Sequence, residues 1–221
     1  MIRVEDVSFS YGKHKVLNGL SFSAKAGECI VLAGPNGSGK STMLSILTGV
    51  VKPDSGTTEL GGKIGYVPQG SALLEDCTVE ENLQFFANIA HSVIPEKLPF
   101  SVEQIKKRRV SQLSGGMKKQ ASIACAFIGD PQIILLDEPC AALDIDFRDE
   151  MIDIVKAWKA EGRTVVYVGH DPREFYEIFD RIVFLDDEPV VYDRDDIAEH
   201  LENETHFEAL YKKAISKISR K

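Results

Sequence analysis

Residues 34–42 read GPNGSGKST, which fits the pattern G-x-x-x-x-G-K-[ST]. Glycines at this spacing let backbone N–H groups curl around an anion. Lys40 can reach the β and γ phosphates of a nucleotide, and Ser41 offers a hydroxyl to Mg²⁺. Gly34, Asn36, Gly37, Ser38, Gly39, Lys40, Ser41 and Thr42 therefore form a candidate nucleotide cradle. A second chemical group closes the run IILLDE at 133–138. Asp137, at the end of a buried strand next to the P-loop strand, would hold the metal, mostly through water. Glu138 could orient or deprotonate an attacking water as general base; the plainer alternative is a helix N-terminal acid favoured by the dipole. His170 ends the apolar run TVVYVGH, at a strand edge where it could touch a γ-phosphate. Gln69, after IGYVPQ, could reach the metal or the water in the same way.

A further stretch, QLSGGMKKQA at 112–121, sets Ser114, Gly115 and Gly116 before a helical pattern. Two glycines weaken the helix they open. Either they are merely tolerated near a helix end, or Ser114 as N-cap and an unbranched backbone leave N–H groups bare for an anion.

These residues need a scaffold that brings several strand ends together. Residues 2–9 and 15–24 alternate apolar and polar side chains, as a half-buried antiparallel pair does. ECIVLAG is a buried strand that opens into the glycine-rich turn, with a helix from about Lys40 to Gly49 and short strands near 57–60 and 63–68. From about Thr78 to Phe127 the pattern is helical, interrupted by Pro95 and Pro99. The apolar runs at 132–138, 164–170 and 181–187, with an amphipathic helix at about 146–160, predict a parallel sheet covered on both faces. After residue 192 an acidic and then basic stretch predicts one or two surface helices and a loose tail.

The chain has 221 residues, 43% hydrophobic and 27% charged, with a formal net charge of −8. That length supports one large domain with a small subdomain. The charge argues against duplex nucleic acid as a partner, and the basic run KKRR at 106–109 reads as a solvated face. Cys29, Cys77, Cys125 and Cys140 form no C-x-x-C pair and read as reduced, buried thiols. No run approaches the roughly 18 apolar residues of a membrane helix, and MIRVEDVSFS lacks the start of a signal peptide. The expected location is the cytosol, at a membrane only if a partner holds the chain there.

Together GPNGSGKST, YVPQ, LSGGM, IILLDEP, AALD and VGHD stand in the order and approximate spacing of an ABC-type ATPase cassette, which the chain resembles over about residues 2–192. The resemblance implies an α/β fold: a P-loop NTPase (RecA-like) core, an N-terminal antiparallel β-subdomain, and a small helical insertion at about 75–128, followed by a helical tail at 193–221. It implies ATP and Mg²⁺ as ligands, with Tyr11 stacking on adenine. Gln69 matches the Q-loop, Ser114 to Gly116 the signature, Asp144 the D-loop and His170 the switch histidine. Two cassettes would dimerise head to tail, each signature closing over the other's ATP, and drive membrane-spanning subunits on separate chains at the inner face of the cell membrane. Met117 stands where glutamine is usual, Cys140 where DEPT has threonine, and Gly169 where a small hydroxyl residue precedes the histidine. SGGMKK leans the resemblance towards exporters. A soluble ABC protein of translation or DNA repair is the alternative; a P-loop GTPase or kinase explains neither LSGGM nor the missing N-K-x-D. Phe85, Phe86, Ile89, Val93 and Ile94 in the insertion are expected to be mostly core, with one or two left for a membrane partner.

Overall fold

The computed structural model describes residues 1–141, 143–186, 188–195 and 204–218. Strands β1 (Ile2–Tyr11) and β2 (His14–Ala24) pair antiparallel, and β4 (Ser55–Leu60) joins the other edge of β1. Their alternation is real. Ile2, Val4 and Val7 of β1 and Leu17, Leu20 and Phe22 of β2 are buried in one core, while the residues between them are mostly exposed.

The second sheet runs β5 (Ile64–Val67), β6 (Ile133–Asp137), β7 (Thr164–Val168), β3 (Cys29–Ala33), β8 (Arg181–Phe184), β9 (Val190–Asp193). Every pairing in it is parallel except β8 with β9. The apolar runs are continuous because both faces are covered, so neighbouring side chains enter different cores. Val31, Leu136 and Tyr167 face the helical side, while Ile30, Leu32, Leu135 and Val166 face the antiparallel sheet and α1 (Lys40–Leu47). One expectation is corrected here: β6, which carries Asp137, does not lie next to the P-loop strand, because β7 separates it from β3. A crossover connection fixes that two strands are parallel, not how many strands lie between them.

Helix α2 (Val79–Ile89) opens with a capping box, in which Thr78 caps the Glu81 N–H and the Glu81 carboxylate accepts from the Thr78 N–H at 2.7 Å. The helical pattern expected through to Phe127 then fails. Between α2 and α3 (Gly115–Ala126) the described chain forms only two short 3₁₀ turns, Val102–Gln104 and Val110–Gln112. His91 and Phe100 take left-handed conformations, with φ of 47° and 61°, on either side of the two prolines. The basic run is a largely exposed face, as expected, with the Lys107 side chain 82% exposed, and it also makes local contacts. Lys106 and Lys107 pair with Glu80, Arg108 donates to the Gln112 carbonyl at 2.8 Å, and Arg109 to the Asp76 carbonyl at 2.6 Å. These contacts stitch the loop to α2 and to the turn before it.

Helices α4 (Ile145–Ala160) and α5 (Pro172–Ile178) pack on the same sheet face. The C-terminal helix α6 (Glu204–Ile218) is more than a surface helix. Phe207 and Tyr211 are buried, stacked on Phe179 and edge-on to Phe175 at centroid distances of 5.1 and 5.5 Å. The loose tail expected after it lies outside the described residues.

Candidate functional site

Four strand ends converge on one side of the sheet. From β3 the chain enters the glycine-rich turn and then α1, whose N-cap, Gly39, has a φ of 96°. A Cβ there would also meet Leu17 Cδ2 at 2.8 Å, so both backbone and space call for glycine. Met43, Leu44 and Leu47 are fully or almost fully buried and pin the helix beneath the turn, each contributing about 1.5–3 kcal/mol. The turn borders a cleft of about 750 Å³ lined by Tyr11, His14, Asn36, Lys40, Gln69 and Glu138, with Val16, Gly37, Gly39, Ser41, Thr42 and His170.

Lys40 donates to the carbonyls of Gly34 and Pro35 at 2.8 and 2.9 Å, folding its charge back over its own turn. Burial lowers its pKa, opposed by Glu138 and Asp137. Asp137 is buried at the tip of β6; burial raises its pKa, and a hydrogen bond from Ser41 and the charges of Lys40 and Lys119 pull it back. Its Oδ1 is buried with no hydrogen-bond partner, and so is Ser38 Oγ. Orphaned buried oxygens beside a ring of glycine N–H groups fit a bound Mg²⁺ nucleotide, which supplies both a cation and phosphate oxygens. Among the described residues no group of three His, Cys, Asp or Glu could hold a metal by itself.

Glu138 has a φ of 48°, a left-handed backbone uncommon for glutamate, and its N–H donates to the Val168 carbonyl at 2.9 Å. The side chain is held at both oxygens. Gln69 Nε2 donates to Oε2 at 2.8 Å, and His170 Nε2 lies 2.8 Å from Oε1. Glu138 is thus turned back over the cleft and clamped from the ends of β5 and β7, an arrangement foreign to a dipole-stabilising helix acid.

Tyr11 is 57% exposed at the cleft mouth, with the Phe9 ring perpendicular to its own at a centroid distance of 4.9 Å. His14 and Val16, which sequence reasoning missed, stand beside it; the two-residue turn Gly12–Lys13 sets Tyr11 opposite His14. Ser114, Gly115, Gly116 and Asp144 do not line this cleft. Ser114 caps α3, accepting the Met117 N–H at 3.3 Å, and Asp144 caps α4, accepting the Phe147 N–H at 2.9 Å. Gly115 borders a separate hollow of about 270 Å³ with Gln69, Lys118, Lys119 and Leu143. A Cβ on Gly116 would meet nothing within 4 Å, and one on Gly115 only Leu143 Cδ2 at 3.6 Å. Among the described residues nothing calls for either glycine.

Fold and site define a nucleotide-binding P-loop protein with one buried carboxylate and a clamped second carboxylate. Residues 17–141 match the family model described as ABC transporter. The chain is 34% identical over 206 residues to the linearmycin resistance ATP-binding protein LnrL of Bacillus subtilis, covering 84% of this chain and 66% of that one. It is 36% identical over 206 residues to the Nod factor export ATP-binding protein I of Burkholderia lata, covering 84% and 68%. The chain thus spans about two thirds of the length of these curated relatives. Among solved structures, the ATP-binding cassette MJ0796, a dimer in a post-hydrolysis state bound to ADP and Pi, superimposes with a TM-score of 0.71 at 27% identity, covering 86% of this chain and 98% of that one. The chain belongs to the ABC transporter family, as an ATP-binding cassette.

Proposed function

We propose that this chain binds and hydrolyses ATP with Mg²⁺ for a transporter, closing head to tail with a second copy and driving membrane-spanning subunits on separate chains. The observation that carries hydrolysis is the clamp on Glu138. A carboxylate bonded by Gln69 and His170 at the edge of the phosphate cleft can take a proton from water without being free to swing away. Lys40, released from the carbonyls of Gly34 and Pro35, turns to the β and γ phosphates, and Tyr11 stacks on the base. Ser41 and Asp137 hold the metal, with Gln69 facing it; bound there, Mg²⁺ neutralises developing phosphate charge. Asn36, Gly37, Ser38 and Gly39 offer the N–H groups that surround the phosphates.

Ser114, Gly115 and Gly116 serve the partner's nucleotide, a role supported by the open space around both glycines among the described residues. Asp144 lies at the same face. The dimeric state of the similar cassette supports two copies, and the word export in a relative's name supports an outward direction. The site for the chain is the inner face of the cell membrane, reached through its partners. Among the described residues no helix is long and apolar enough to cross a membrane. Phe85, Ile89 and Val93 stay 43, 60 and 81% exposed while Phe86 and Ile94 pack inward, so more of this set is left outside the core than its sequence implied. We assign the exposed three to the membrane partner.

Glu138→Gln tests the reading. It should bind ATP near normally, lose about 10²-fold or more in turnover as expected for a lost general base, and accumulate as an ATP-bound dimer on gel filtration. Wild-type turnover in this variant would place the base elsewhere.

A further inference from the structure

The second lysine of SGGMKK, Lys119, is half-buried and makes no ion pair with a carboxylate among the described residues. Lys118 turns outward and pairs with Glu75 at 2.7 Å, whereas Lys119, one residue on, turns the other way. Its ammonium donates to the Pro68 carbonyl at 3.0 Å and to the Gln69 carbonyl at 3.2 Å, reaching from α3 to the turn after β5. Burial lowers its pKa, while Asp137, Cys140 and Glu138 hold it up.

That ammonium is one end of a continuous chain of contacts. Lys119 holds the backbone of Gln69, the Gln69 side chain donates to Glu138 Oε2 at 2.8 Å, and Glu138 Oε1 meets His170 at 2.8 Å. The Gln69 side chain is exposed, and the hollow between Gln69, Gly70, Ser71 and α3 leaves its turn room to shift. No other described hydrogen bond from α3 reaches the turn at 68–69, so the lysine is the bolt that sets its distance from the helix. The same helix begins with Ser114 and Gly115, five and four residues before Lys119, the surface assigned above to the partner's nucleotide. A rigid helix with one end on the partner's phosphate and Lys119 on the Gln69 turn transmits displacement without bending.

We propose that Lys119 is a positioning residue for hydrolysis: it sets Gln69 against Glu138 and ties that geometry to the position of the signature helix. It touches neither nucleotide nor water in this role. The inference rests on the ATPase reading above and adds to it a residue outside the phosphate cleft.

The test uses Lys119→Met, which keeps the stem and deletes the charge, and Lys119→Arg, whose fork can still reach two carbonyls. In the nucleotide-free protein, hydrogen–deuterium exchange of the segment around 66–71 should rise in Lys119→Met and return towards wild type in Lys119→Arg, with unchanged exchange in β3 and β6. In steady-state ATPase assays Lys119→Met should lower kcat roughly tenfold or more with KM for ATP nearly unchanged, and Lys119→Arg should recover most of it. In a Gln69→Ala background, Lys119→Met should cost little further, because the side chain it positions is gone. Wild-type exchange at 66–71 in Lys119→Met overturns the proposal, and so does wild-type kcat, a KM that rises in step with the loss, or full additivity with Gln69→Ala. If wild-type protein itself fails to hydrolyse ATP, the ATPase reading falls, while the exchange result still decides whether Lys119 holds the turn.

Discussion

Tyr167 accounts for two of the chain's departures from the usual cassette pattern at once. It is a large aromatic on a central strand, 1% exposed, and its hydroxyl donates to Glu174 Oε2 at 2.7 Å while lying 3.4 Å from Cys140 Sγ. A Cβ on Gly169 would meet the Tyr167 ring at 3.0 Å and the Phe175 ring at 3.1 Å, so the space of a small hydroxyl side chain is already filled. Cys140, in the place of threonine, gives the phenol a soft neighbour that does not compete for Glu174. Met117 lies 3.6 Å from the Arg108 guanidinium through its sulfur, a contact that a capping glutamine would have exchanged for one to the helix start. Burial pushes the thiols of Cys125 and Cys140 up to about 12 and that of Cys29 further still, whereas Cys77 is only half-buried. Since the thiolate is the nucleophile, native protein should show one fast-reacting thiol with Ellman's reagent and four after unfolding. Cys77→Ser should remove the fast phase; two or more fast thiols in the native chain would contradict this burial. The reduced state of all four was legible from their spacing, but the half-buried place of Cys77 was not, because it lies in the loop whose course the sequence hid.

Helix α2 depends on its first turn, because the chain leaves it after only eleven residues and returns as irregular loop. Thr78 fixes that start, and the loop returns to it: the Val79 and Glu80 N–H groups donate to the carbonyls of Arg108 and Lys106 at 3.1 and 3.0 Å. Thr78→Ala should therefore cost about 1 kcal/mol, the usual worth of such a cap, seen as a lower urea midpoint with an unchanged slope. Thr78→Ser should restore it. A silent Thr78→Ala would mean that the loop contacts alone hold the helix. At this scale the strands were legible and the loop was not. Buried parallel strands announce themselves as apolar runs, and QIILLDE, TVVYVGH and RIVFLDD all became strands within two or three residues of their ends. Residues 90–114 carry helix-forming side chains, but Pro95, Pro99 and two left-handed residues override that propensity through tertiary contacts that no local pattern records. The order of the sheet was equally hidden: Asp137 reaches the site from a strand two places from β3 because strand ends at one edge converge regardless of who sits between them.

Within one molecule the Ser114–Gly116 surface and the phosphate cleft are separate places, and among the described residues only Gln69 borders both the cleft and the hollow beside Gly115. The predicted residues that line the cleft stood out because most end a strand or lie in the turn that opens a helix, whereas His14 and Val16 carried no such signal; whether the set serves one nucleotide or two was not legible, because that depends on a second copy. Mixed mutants decide it. Lys40→Ala spoils the phosphate cleft, and Ser114→Glu sets a carboxylate against an incoming γ-phosphate; neither alone should form an active homodimer. If the signature works on its partner's nucleotide, a mixed dimer gathers both defects into one site and leaves the other intact. The sound cleft of the Ser114→Glu chain then faces the sound signature of the Lys40→Ala chain. Phosphate release should rise from near zero to a maximum near equal mixing, with ATP-driven dimerisation following the same curve if a single intact site turns over slowly. If the signature serves its own cleft, every chain in the mixture carries a defect, and both curves stay flat. A flat result from folded mutants would return Gly115 and Gly116 to being an ordinary helix start, and would detach Lys119 from any signal arriving through the partner while leaving its hold on Gln69 in place.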